Sequence, residues 1–227
     1  LDITVKLLAL DTSTEQCSVA LMRDDVVIER CVRTAREHAD LVLGMVDDVM
    51  REAALGLNEL DGIAFGRGPG GFTGVRIGVG VAQGLAFGAG LLTLGVSDLA
   101  AVASQVMQEP GDVLVCMDAR MGEVYWAVFR ADGSGRLQPL SIEQVGPPAS
   151  VIWHEPLHLA AGMGFTAHPE LRERFNEITI VPDVLPRASD ILKLAQFGFR
   201  DGHALPAREA QPSYVRNDVA VKPTRHI

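Results

Sequence analysis

Gly62-Ile63-Ala64-Phe65-Gly66-Arg67-Gly68-Pro69-Gly70-Gly71-Phe72-Thr73-Gly74-Val75-Arg76-Ile77-Gly78 decides how this chain is read. Apolar residues lead as a strand into a loop of glycines and one proline, and Thr73 opens a helix that keeps glycine at 74, 78, 80, 84 and 88. Each glycine inside a helix costs about 0.8–1 kcal/mol relative to alanine. Five of them require either a backbone pressed close to the loop or another helix lying almost directly on this one. We expect both.

Gly66, Gly68 and Gly71 spell G-x-G-x-x-G between a strand and a helix, the form of a dinucleotide-binding turn. That turn needs an acidic residue about 20 positions further on, where Leu85-Ala86-Phe87-Gly88-Ala89-Gly90-Leu91 offers none. A P-loop is excluded too, because Gly-Lys-Ser/Thr does not follow and no lysine reaches the outer phosphates. What remains, the loop Gly68, Pro69, Gly70, Gly71 and Thr73, offers backbone N–H groups, from all but the proline, at a helix N-terminus that could attract an anion. The same residues also fit a tight strand-to-helix turn that only shapes a surface.

The 227 residues suit one large domain or two small ones. A hydrophobic content of 48% and mean hydropathy of +0.18 describe a compact chain, and no apolar run reaches the roughly 18–20 residues of a membrane span. The longest candidate, residues 75–94, is broken by glycines and carries Arg76 and Gln83. The amino end shows no basic stretch followed by a cleavage site, so a cytoplasmic protein is expected. Cys17, Cys31 and Cys116 lie in strand-like segments and read as reduced thiols, not as a disulfide framework. A net charge of −9 argues against this chain gripping nucleic acid by itself.

An internal echo organises the rest. Strands are expected over residues 6–11, 16–22 and 26–33, with a turn at Asp24-Asp25, then a helix over 37–55, a strand over 61–65, the glycine-rich helix, a strand over 91–96 and a helix over 97–107. The second half restarts with strands over 112–118, 123–130 and 137–145, with a turn at Asp132-Gly133. Later come a strand over 157–161, a short helix near Glu170, a strand over 178–181 and a helix over 189–199. Both halves begin with a meander whose first strand ends in aspartate: Ala9-Leu10-Asp11-Thr12-Ser13 and Cys116-Met117-Asp118-Ala119-Arg120. This order resembles the ribonuclease H-like unit duplicated in actin-like and sugar-kinase-like (ASKHA) proteins. It predicts an α/β fold of two lobes with mixed sheets, residues 1–108 and a reduced lobe over 109–227.

In catalytic members of that superfamily the first-strand aspartate and the turn after it surround a nucleotide phosphate. Asp11, Thr12 and Ser13 keep the look of that turn. The second half keeps less. Asp118-Ala119-Arg120-Met121 replaces a small glycine-rich turn, with an arginine where phosphate would need space, and Asp118 reads better as a polar cap on a sheet edge. Gly162-Met163-Gly164 is the one candidate for an adenosine-site turn.

Leu7-Leu8-Ala9-Leu10-Asp11-Thr12-Ser13-Thr14, the segment from Gly68 to Gly78, Gly95-Val96-Ser97 and the segment from Met117 to Tyr125 closely resemble the TsaB (YeaZ) family, as does the closing Pro212-Ser213-Tyr214-Val215-Arg216-Asn217-Asp218. The resemblance is weakest over 147–187, and residues 1–4 precede the usual start. It implies a subunit of the machinery that forms N6-threonylcarbamoyladenosine beside the tRNA anticodon, working with its paralogue TsaD, the transferase, and with TsaE, a small ATPase. tRNA would be met only through the complex, and a nucleotide would sit, if anywhere, at the interface.

TsaD carries metal-binding histidines just after the strand that follows its own Gly-Pro-Gly helix. Here the corresponding residues read Gly95-Val96-Ser97-Asp98-Leu99-Ala100-Ala101, so no metal site and no catalytic residue are expected. His154 and His158 have helical spacing, but Pro156 between them opposes a shared turn. A chain of this kind acts through surfaces. Leu41, Met45 and Val49 on the first helix, and Gly74, Arg76, Ile77, Gly78 and Val81 on the second, are the expected partner face, open to a self-dimer when the partner is missing. Spacing alone equally allows both glycine rows to be internal packing. Arg76, a cation near a helix N-terminus, predicts an anionic partner. Two readings compete with the accessory subunit. One is a peptidase or ATPase using Asp11 with a carboxylate or hydroxyl partner, and the weaker one is a dinucleotide binder.

Overall fold

The computed structural model describes residues 5–23 and 26–215. The turn expected at Asp24-Asp25, residues 1–4 and the Arg216-Asn217-Asp218 end of the closing motif lie outside the described residues.

β1 (Leu7–Asp11), β2 (Gln16–Arg23) and β3 (Val26–Arg33) form an antiparallel meander. α1 (His38–Ala53), β4 (Gly62–Gly66), α2 (Phe72–Ala89), β5 (Leu92–Val96) and α3 (Asp98–Val106) follow. β4 runs parallel to β1, and β5 parallel to β4. The second half contains β6 (Gly111–Arg120), β7 (Glu123–Ala131), β8 (Leu137–Pro139), β9 (Gln144–Gly146) and β10 (Leu159–Ala161). It continues with α4 (Gly164–Ala167), α5 (Pro169–Arg174), β11 (Thr179–Val181), α6 (Ala188–Arg200) and β12 (Leu205–Pro206). Two mixed sheets result, ordered β12-β5-β4-β1-β2-β3 and β11-β10-β6-β7-β8, with β9 also on β7.

Alternation along each central strand sets the layers, because successive side chains point to opposite faces. Leu8 and Leu10 of β1 pack with Val42 and Val49 of α1 and with Val75 and Val79 of α2. Leu7 and Ala9 pack instead with Ile191, Leu192 and Ala195 of α6. In the second sheet Val113, Val115, Ala127 and Phe129 meet Leu99, Val102 and Ala103 of α3. Leu114, Cys116, Trp126 and Val128 meet Phe165 of α4 and Leu171 of α5 on the other side. A strand covered on both faces reads as a continuous apolar run, which is how β1 and β6 appear. The α/β two-lobed fold expected from the echo is therefore present.

Two expectations need correction. The strand over 137–145 is two short strands, β8 and β9, which pair with different stretches of β7. β8 ends at Pro139, whose missing N–H cannot extend a ladder. The boundary at 108 divides neither the sheets nor the layers cleanly, since β12 joins the edge of the first sheet, α6 covers that sheet and α3 covers the second. As the intervening Pro156 led us to expect, His154 and His158 lie in irregular backbone and share no helical turn.

Candidate functional site: the cleft between the lobes

A cavity of about 1050 Å³ opens between the lobes. Its floor is the Thr12-Ser13-Thr14 turn, one wall is the Pro69–Val75 stretch, and the other wall is the end of β6 with Met163 and Thr166. The floor and the glycine-rich wall are fastened together: Gly71 N–H donates to Ser13 O at 2.7 Å, and the Thr12 side-chain hydroxyl donates to Gly74 O at 2.7 Å. A Cβ at Gly70 would lie 2.5 Å from Ser13 O, one at Gly74 would run into Thr12 O, and one at Gly78 would come within 2.8 Å of Thr12 Oγ1. The first glycine row therefore exists for the turn after β1. Gly68, at φ +98°, takes a backbone conformation that favours glycine.

α2 starts into this cleft from Gly71 without a side-chain cap. Its first N–H groups point where an anion would be stabilised. Charges of both signs surround the space, Glu15 and Asp118 against Arg36 and Arg120.

Asp11 does not line the cavity. It is 1% exposed and faces Asp98, which is fully buried. Asp11 accepts from Ser13 N–H at 2.9 Å and from Ser13 Oγ at 3.3 Å. Asp98 Oδ2 accepts from Gly68 N–H at 2.6 Å, and Gly68 O accepts from Asp98 N–H at 3.0 Å. Burial pushes the Asp11 carboxyl up to about 6. Burial, and then the Asp11 charge, holds Asp98 well above the usual carboxylate range. Asp11 thus has a carboxylate partner, as an enzyme reading required, but the pair is sealed beneath the turn. Sequence reasoning passed over Asp98 because an acid in the first turn of a helix reads as ordinary dipole compensation. Its signal was position: an acid directly after an apolar strand, facing the end of another.

The second-lobe wall is built for packing. Asp118 Oδ1 accepts from Arg120 N–H at 2.9 Å, capping the hairpin between β6 and β7. Arg120 and Met121 take φ of +62° and +56° there. Arg120 lines the cleft at this hairpin. A Cβ at Gly162 would run into Cys116 O, and one at Gly164 would lie 2.8 Å from it, so these glycines admit β6 backbone. Among the described residues no group of three or more His, Cys, Asp or Glu gathers to hold a metal.

The expected partner face divides in two. Met45, Val49 and Gly78 are buried inside the chain, and Gly74 is half-buried against Thr12, so these residues do not form an outer surface. Leu41, Ile77 and Val81 are half-buried, and Arg76 is exposed. The open row is the other one. At Gly80, Gly84 and Gly88 a Cβ would meet nothing within 4 Å. Phe87 and Leu43 stand exposed on the same two helices, Phe87 at 78%.

Among the described residues the partners of Arg76 are aromatic, not anionic. Its guanidinium lies 3.2 Å from the Phe72 ring centroid and 4.8 Å from that of Tyr214, and it donates to Phe72 O at 3.1 Å. The quadrupole of each ring supplies the negative face that the helix end does not. Tyr214 is brought there by residues 211–215, tied to the loop where Ser213 N–H donates to Arg67 O at 2.7 Å.

Comparison with known proteins agrees with this geometry. The family model described as "TsaD: tRNA N6-adenosine threonylcarbamoyltransferase" matches residues 32–178. The tRNA threonylcarbamoyladenosine biosynthesis protein TsaB of Escherichia coli K12 is 40% identical, over 96% of this chain and 97% of its own. TsaB of Haemophilus influenzae is 39% identical over 95% of each. The crystal structure of YeaZ from Pseudomonas aeruginosa superposes with a TM-score of 0.84 at 40% identity, covering 92% of this chain and 99% of that one. A second structure from the same organism, described as similar to peptidase YeaZ, gives 0.85 at 39% identity over 93% and 100%. A two-lobed fold, a glycine-rich loop locked onto the turn after β1 and near-full-length identity of this order place the chain in the TsaB (YeaZ) family.

Proposed function

We propose that the chain is a non-catalytic accessory subunit in the formation of N6-threonylcarbamoyladenosine on tRNA, and that it docks on a TsaD-type transferase through the outer face of α1 and α2. The pathway follows from the relatives named for that biosynthesis. Within the chain, the observation that carries the docking reading is the Gly80, Gly84, Gly88 row. Each of these glycines costs the helix about 0.8–1 kcal/mol, and among the described residues no neighbour requires any of them. A second helix laid closely on α2 does require them. The exposed Phe87 and Leu43 supply apolar area for such a contact.

In this reading the TsaE-type ATPase and tRNA meet the chain only in the assembled complex, and a nucleotide binds, if at all, where subunits join. A self-dimer on the same face forms when the transferase is missing, because a two-fold axis lets one patch satisfy itself. No helix among the described residues is long and apolar enough to cross a membrane, and we place the protein in the cytoplasm with its tRNA substrate.

The peptidase reading is favoured by the description of one relative and by the Asp11–Asp98 pair. Its weakness is access, since an acid pair must touch the scissile bond and this one is buried. The discriminating experiment is co-purification with the neighbouring TsaD-type protein, followed by threonylcarbamoyl transfer to tRNA with and without this chain. Transfer that does not depend on this chain, or peptide turnover by the chain alone that is lost in Asp11→Ala, would overturn the proposal.

A further inference from the structure

The Asp11–Asp98 pair poses a bonding problem that the family assignment does not resolve. Both oxygens of Asp11 are taken by Ser13, through its N–H and its hydroxyl. On Asp98, Oδ2 is taken by Gly68 N–H, while the fully buried Oδ1 has no donor. That atom faces Asp11 Oδ1 over the Cα of Gly66, where any Cβ would collide with both. Two ionised carboxylates held this way, away from water, repel at short range and leave one oxygen unsatisfied. One proton on Asp98 Oδ1, donated to Asp11, removes both faults.

We propose that Asp98 is a carboxylic acid at neutral pH, and that its hydrogen bond to the Asp11 carboxylate is a latch holding the glycine-rich loop, through Gly68, onto the turn after β1. The latch sets the floor of the cleft. Ser13, Pro69, Gly70 and Gly71 all line the cavity, and their relative position passes through Ser13 to Asp11, across the shared proton to Asp98, and out through Gly68.

Among the described residues the proton is the available counter-charge. Cys17 of β2 and Cys31 of β3 feel the Asp11 charge, and burial pushes both thiols up, so they stay neutral. Arg67 on the loop turns to Glu143, Lys193 of α6 pairs with Asp190, and His38 of α1 bonds Thr14 O. Both carboxyls titrate higher in the folded chain than in the unfolded one. Their contribution to stability is therefore complete below the unfolded carboxylate range and is lost as pH rises through about 6 and beyond. One such group lowers the unfolding midpoint by roughly 3 °C for each pH unit crossed in a chain of this size.

The test uses the full chain and Asp98→Asn, whose amide donates to Asp11 and accepts from Gly68 as the acid does. The expected result has three parts. Infrared spectra of the wild type at pH 7 contain a protonated carboxylic acid band that Asp98→Asn lacks. Asp98→Asn unfolds at or above the wild-type temperature at pH 7, with a flatter decline toward pH 9. Asp11→Asn, which puts an amide where Ser13 needs two acceptors, unfolds earlier at every pH. Absence of the acid band in the wild type overturns the proposal even if the variants fail to fold. So does Asp98→Asn losing as much stability as Asp98→Ala, or the wild type keeping the same pH slope as Asp98→Asn. Stabilisation of the wild type, but not of Asp98→Asn, by magnesium would replace the proton with a bound cation and overturn it equally.

Discussion

Arg67 and Glu143 join the two lobes: Arg67 Nη2 lies 2.8 Å from Glu143 Oε1, with the side chains 32% and 15% exposed. Arg67 sits in the glycine-rich loop after β4, and Glu143 lies just before β9. The pair therefore ties the loop to the second lobe while Asp98 ties it to the first. Glu143→Gln removes the charge and keeps one acceptor. It is expected to cost about 1 kcal/mol, as a partly exposed ion pair does, and to lower the thermal midpoint by about 2–4 °C. An unchanged midpoint in differential scanning calorimetry would show that the bridge holds nothing.

Gly78 and Gly84 should separate stability from assembly. Gly78→Ala drives a Cβ to 2.8 Å from Thr12 Oγ1 and is expected to destabilise the isolated chain by about 1–3 kcal/mol through overpacking. Gly84→Ala meets open space and is expected to stabilise it by about 0.5–1 kcal/mol. Gly84→Leu keeps the fold but weakens capture of the TsaD-type partner and self-association together, measured by pull-down and analytical ultracentrifugation. Intact association in Gly84→Leu would move the docking face off α2.

Arg76→Ala takes away a cation stacked on Phe72 and Tyr214. The expected loss is about 0.5–1 kcal/mol, the range of an exposed cation–ring contact. The segment that carries Tyr214 should also loosen, read as faster amide exchange at Ser213. Exchange at Ser213 unchanged in Arg76→Ala would mean that the strap is held by Arg67 O alone.

Asp112 gives the opposite pH behaviour to the buried pair. The Arg130 guanidinium, bound through two 2.7 Å hydrogen bonds, holds its carboxyl below the usual range. Its stabilisation is present above the unfolded carboxylate pKa and fades as pH falls toward the lowered folded value. Asp112→Asn should narrow the gap between midpoints measured at pH 3 and pH 7. A gap of wild-type size in the variant would remove Asp112 from the acid response.

The doubled meander could be read from sequence because β1, β2, β6 and β7 are apolar on both faces and each half restarts with the same strand order. The site was readable only in part. The rows at 74, 78, 82 and 86 and at 80, 84 and 88 share one four-residue period, so spacing cannot tell which faces inward. That is settled by the Thr12–Ser13 turn, a contact across 62 residues between Thr12 and Gly74. Asp98 escaped notice for a similar reason. Its partner is 87 positions away in sequence, and alone it looks like a helix-opening acid. The return of α6 to the first sheet is equally non-local, and no motif near Ala188 announces it.

That return determines the order in which the chain can become complete during synthesis. Until α6 has left the ribosome, Leu7, Ala9, Ala20 and Ala64 lack most of their cover on one side of the first sheet, since Ala188, Ile191, Leu192 and Ala195 supply it beside Ala101 of α3. The amino-terminal lobe is thus translated first but finished almost last. A nascent chain halted near residue 108 presents an apolar sheet face to its surroundings, the kind of surface that recruits chaperones or aggregates. The two halves, alike in strand order, therefore cannot complete their packing independently of one another.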